Sequence, residues 1–94
     1  MKRIAIESEE PLETILSEGH EPALVLKGRE PGQHLRVSRY AGEDTASWWR
    51  RACGKWRNLF PEAGPAKVFV YYHADRRLFR RPLETERVCG EEEA

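Results

Sequence analysis

The sequence predicts an α+β domain: an antiparallel or mixed sheet of four to five strands with two helices, in the order βαββαββ. Three observations carry this. Short runs alternate apolar and polar residues at period two, two stretches are amphipathic at helical spacing, and 94 residues suffice for one core. Residues 1–90 are expected to form one domain, with residues 91–94 as a disordered acidic tail.

Residues 2–7 put Ile4 and Ile6 on one side of a short strand. Ser8 then caps a short helix with Glu9, Glu10 and Pro11 in its first turn, Leu12, Ile15 and Leu16 as its apolar positions and Gly19 as its stop. Residues 23–26 read as a buried strand, residues 28–32 as a turn, and residues 34–40 as a strand setting Leu35 and Val37 against Arg36 and Ser38.

Asp44 or Thr45 opens the longest helix, which Pro61 ends. At about 100° per residue, Thr45, Trp49, Ala52, Cys53, Trp56, Leu59 and Phe60 share an apolar face. Arg50, Arg51, Lys55, Arg57 and Asn58 cover the other arc, and Trp48 falls at the boundary beside Lys55. Residues 67–73 form a strand alternating Val68, Val70 and Tyr72 with Phe69, Tyr71 and His73. The second set is the more polar, which makes Tyr71 the aromatic expected to be accessible. A turn at residues 74–76 leads to a return run, residues 78–81, closed by Pro82, and residues 83–90 are expected to add a short strand.

The bulk properties narrow the functional classes. No apolar run approaches the roughly 20 residues that cross a bilayer, and the opening residues turn acidic before a signal-peptide core forms, so a cytoplasmic protein without membrane contact is expected. Cys53 and Cys89 make no CxxC pair and no His stands at metal-ligand spacing. No metal and no cofactor are expected, and the two cysteines are either bridged or free. One Asn and one Gln among 34% charged residues is a heat-adapted composition.

Net charge is zero, yet it is unevenly spread: −3 over residues 1–31, +7 over residues 32–83 and −4 over residues 84–94. All nine Phe, Trp and Tyr residues lie in the basic segment. Cations that displace phosphate counterions, beside flat rings on which unpaired bases stack, are what single-stranded nucleic acid requires. The expectation is therefore sequence-independent binding of single-stranded DNA or RNA, with DNA favoured, on the second helix and terminal hairpin. Arg50, Arg51, Lys55, Arg57, Arg76, Arg77, Arg80 and Arg81 would contact phosphates, and Trp48 and Tyr71 would stack bases.

Two further classes stand beside it. One is a protein-interaction or homodimerisation module using exposed aromatics, with the acidic tail contacting other proteins. The other is a metal-free ribonuclease of toxin type built from His73, Tyr71 and the hairpin arginines; no catalytic motif demands it, and no enzyme activity is the leading expectation.

Three resemblances bear on these readings. The element order resembles an RNA-recognition-motif or ferredoxin-like domain, although residues 3–6 and 35–39 lack the stacking aromatics of that family. The helix Trp48-Trp49-Arg50-Arg51 to Lys55-Trp56-Arg57 and the strand Val68-Phe69-Val70-Tyr71-Tyr72, with the heat-adapted composition, resemble the ThermoDBP family of archaeal single-stranded-DNA-binding proteins. That resemblance implies a small α+β domain holding single strands in a basic cleft with an apolar floor. The terminal hairpin is similar to that of ribosome-dependent toxins of the RelE type, whose fold needs more sheet after it than residues 84–94 provide.

Overall fold

The computed structural model describes residues 4–17 and 19–89, and it realises the α+β class in eight elements. These are β1 (Ile6–Glu7), α1 (Leu12–Ser17), β2 (Ala23–Lys27), β3 (His34–Ser38), α2 (Thr45–Leu59), β4 (Lys67–Ala74), β5 (Arg77–Leu83) and α3 (Thr85–Val88). The strands form one five-stranded sheet of order β1-β5-β4-β2-β3. It is mixed, because β1 runs parallel to β5 while every other pairing is antiparallel.

Register divides the sheet into two faces. Leu24 lies opposite Val37 on one side and Val70 on the other, and Leu26 likewise opposite Leu35 and Val68. These residues, with Tyr72 and Leu83, form the inner face, where α1 contributes Leu12 and Ile15, α2 contributes Trp48, Ala52, Cys53 and Trp56, and α3 contributes Val88. The core thus sits between the sheet and helices that all pack on the same side. Tyr72 closes one end of it by a hydrogen bond with the Ser8 hydroxyl.

α2 starts where Asp44 accepts a hydrogen bond from the Ser47 N–H at 2.8 Å, and ends at Phe60, whose N–H bonds the Trp56 carbonyl. Its buried stripe runs through Trp48, Ala52 and Trp56 at spacing four, with Cys53 beside it. The expected stripe, in which Trp49 and Leu59 join Thr45, Ala52, Cys53, Trp56 and Phe60, is therefore rotated: Trp49 is half-buried and Leu59 is 57% exposed. Two indole hydrogen bonds fix this phase, Trp48 Nε1 to the Val37 carbonyl and Trp56 Nε1 to the Gly64 carbonyl, both 3.0 Å. Periodicity alone did not distinguish two adjacent tryptophans; the β3 carbonyl that receives Trp48 does.

The expected strand within residues 83–90 is instead helix α3. Thr85 anchors it by donating to the Ala66 carbonyl at 2.7 Å, and a disulfide between Cys53 and Cys89 ties it to α2. β5 is longer than expected and includes Pro82. Ser8 N–H bonds the Arg80 carbonyl, so the polar groups of Arg80, and two residues on those of Pro82, point toward β1. β1 pairs only with Phe79 and Arg80, so the missing N–H of Pro82 removes no ladder bond. The hairpin tip holds Asp75 and Arg76 at φ 52° and 62°. Lys2, Arg3 and the acidic tail lie outside the described residues.

Candidate nucleic-acid interface

Because side chains alternate along a strand, the residues between the core positions face away from the helices. This outer face carries Phe69, Tyr71 and His73 from β4, Val25 and Lys27 from β2, Arg36 from β3, and Leu78 and Arg80 from β5. No helix among the described residues covers it. Phe69 and Tyr71 are half-buried and lie side by side on the central strand, their ring centroids 6.4 Å apart at 68°.

Two cations bracket the rings. The Lys27 ammonium lies 5.5 Å from the Phe69 centroid and 5.9 Å from that of Tyr71, and the Arg80 guanidinium lies 4.7 Å from Phe69. Both reach the Tyr71 hydroxyl, Lys27 Nζ donating at 3.4 Å and Arg80 Nη1 at 3.5 Å. Burial would raise the phenol's pKa, but the hydrogen bonds from Arg80 and Lys27 and their positive charge outweigh it and hold the group below its ordinary value. Arg80 is itself held in place by Glu7, with Nε and Oε2 2.7 Å apart. Hydrogen bonds from Arg80 to Tyr71 and Glu7 keep its own pKa raised.

Beside this cluster, Glu21, Val25, His34, Arg36, Tyr71 and His73 line an open groove of about 290 Å³. Arg36 is exposed and makes no hydrogen bond or ion pair among the described residues. The outer face therefore offers two rings, a groove alongside them and three cations from three different strands.

Comparison with family models, curated proteins and solved structures yields no match.

The residues expected to bind nucleic acid do not lie on one surface. Tyr71 and Arg80 are on the outer face. Arg50, Lys55 and Arg57 are exposed on α2, which packs on the inner face, so the molecule's thickness separates them from Tyr71. Arg77 and Arg81 alternate to the inner side of β5, and Arg81 Nε donates to the Glu10 carbonyl at 2.8 Å. Arg76 sits at the hairpin tip.

One assignment is corrected by burial, and a second residue is engaged within the fold. Trp48 has no exposed surface and donates its indole N–H to β3, so it cannot serve as a stacking platform. Arg51 is engaged within the fold: it pairs with Glu43 at 2.7 Å, donates to the Ser38 carbonyl at 2.8 Å and lies 3.8 Å from the Tyr40 ring centroid. The hydrogen bond from Arg51 lowers the Glu43 pKa and raises that of Arg51, joining α2 to the end of β3.

Sequence reasoning missed Lys27, Arg36 and Phe69 as site residues. Period-two parity places Phe69 with Tyr71. Joining Lys27 and Arg36 to them requires the strand order, because β2 lies between β4 and β3 only in space.

Proposed function

We propose that the protein binds single-stranded nucleic acid, without sequence preference, across the outer face of its sheet. The observation that carries this reading is the ring pair Phe69 and Tyr71 flanked by Lys27 and Arg80. Bases stack on the rings, an interaction that tolerates any base because every base has a π-face. Phosphates run past Lys27 and Arg36 on one side and Arg80 on the other, giving an affinity that falls with salt. An open face without deep walls suits a strand whose bases are already unpaired.

Fluorescence anisotropy of a labelled oligothymidylate tests the reading. Phe69→Ala and Tyr71→Ala should each weaken binding by about 1–3 kcal/mol, or roughly 5- to 150-fold. Each phosphate contacted should contribute about −0.7 to the slope of log affinity against log salt. Lys55→Gln, exposed on α2, should stay within about twofold of the parent. Failure to bind at low salt, or a greater loss in Lys55→Gln than in Tyr71→Ala, contradicts the reading.

A second reading rests on the groove, which brings His34 and His73 to one opening with Arg36 and Tyr71. That arrangement suits RNA cleavage by the 2′-hydroxyl: the His73 imidazole takes its proton, and the Tyr71 hydroxyl, two residues along the same face of β4, protonates the leaving 5′-oxygen. It predicts cleavage of RNA but not DNA, unaffected by chelator and abolished in His73→Ala. RNA that stays intact through long incubation eliminates this reading and leaves binding untouched.

A further inference from the structure

We propose that the cavity between α2 and α3, on the opposite side of the molecule from the sheet's outer face, is a binding site for phosphate-type oxyanions. Its volume is about 480 Å³ and three arginines, Arg50, Arg57 and Arg87, line it together with Trp49 and the bridged Cys53 and Cys89.

The sequence builds this site from helical spacing and one covalent tie. Arg50, Cys53 and Arg57 stand at intervals of three and four residues, which places them on one stripe of α2. The disulfide from Cys53 to Cys89 brings the last turn of α3 against that stripe, and Arg87 comes with it. A four-residue helix has no stability of its own, so the bridge, with the Thr85 hydrogen bond to the Ala66 carbonyl, sets Arg87 on the same cavity as Arg50 and Arg57.

Two observations indicate an anion. Among the described residues, none of the three guanidinium groups makes a hydrogen bond or ion pair and none of the residues lining this cavity is acidic, Glu86 lining the adjoining one. Asp44 acts on Arg50 only through longer-range attraction. Three cations around one opening repel each other unless a counter-charge sits between them. Trp49 lends a ring to the wall, and its buried Nε1–H makes it a spectroscopic reporter beside the arginines. An oxyanion supplies the negative charge that the arginines lack. Guanidinium forks match the paired oxygens of a phosphate, so phosphate esters and pyrophosphate fit better than a halide.

Titration of the ¹⁵N-labelled protein with inorganic phosphate, pyrophosphate and a nucleoside monophosphate, against sodium chloride at equal ionic strength, tests the proposal. The expected result is a saturable shift of the Trp49 indole and of the Arg50, Arg57 and Arg87 side-chain signals, absent with chloride. Pyrophosphate should bind more tightly than phosphate if the site takes diphosphates, and the monophosphate more tightly if it takes an ester. Arg57→Gln and Arg87→Gln should each weaken the preferred anion at least tenfold. Lys55→Gln, on the same helix but outside the cavity, and Tyr71→Ala, on the other face, should not. A response that fails to saturate, that chloride reproduces, or that survives both arginine variants overturns the proposal, whatever the outcome of the oligonucleotide experiment.

Discussion

Tyr71 takes hydrogen bonds from Lys27 and Arg80 at its hydroxyl and is half-buried on the outer face. Their charge favours the phenolate and lowers its pKa in the folded state. At neutral pH the phenol is protonated in folded and unfolded chains alike, so this adds nothing to stability there. Once pH passes the depressed folded value, the folded state sheds its proton first and gains stability relative to the unfolded chain. An absorbance titration of phenolate should show one of the three tyrosines ionising below the usual value of about 10. Tyr71→Phe should remove that component; if it persists, the cluster is misassigned. The accessibility of Tyr71 was legible from parity along its strand. The burial of Trp48 was not, since neighbouring indoles differ by only 100° around a helix and the deciding partner, the Val37 carbonyl, comes from another element.

α2 depends on attachments at both ends. At its start, Glu43 pairs with Arg51 and Asp44 caps the first turn, and both carboxylates have lowered pKa values, mainly through hydrogen bonds from Arg51 and from the Ser47 backbone respectively. Stability from a lowered carboxylate is complete above its unfolded value and is lost as pH falls through the folded one. Thermal stability should therefore fall as pH drops below the ordinary values of 4.5 and 3.8, and Glu43→Gln should flatten that decline while lowering stability at pH 7. An unchanged pH profile would mean the pair does not hold in solution.

Farther along the same helix, the Cys53–Cys89 bridge spans a sequence separation of 36, which by loop-closure entropy stabilises by about 4 kcal/mol. Cys89→Ser should lower the unfolding free energy by about 3–4 kcal/mol in urea. A loss under about 1 kcal/mol would imply that the cysteines are not paired. The cap at Asp44 and the extent of α2 were legible from turn residues and Pro61. Helix α3 was not, because its four residues are held by Thr85 and Cys89 against distant parts of the chain.

At the scale of the molecule, the sheet order decides the function proposed. The βαββαββ pattern and the α+β class could be read from periodicity, but periodicity does not say which strands are neighbours. β4 lies at the centre of the order, so its outward aromatics become the middle of a face, with Lys27 arriving from β2 and Arg80 from β5. The cations of α2, adjacent in sequence to the tryptophans, are carried to the other layer. Charge counted along the chain merged two surfaces that the fold separates.

The measurement that tests this division most directly is a backbone ¹H–¹⁵N titration with a short unlabelled oligothymidylate at low salt. Saturable shifts centred on the amides of Val25, Lys27, Arg36, Phe69, Tyr71 and Arg80 are expected, receding as salt is raised. Shifts confined to α2 around Arg50 and Arg57, or none at all, would contradict it.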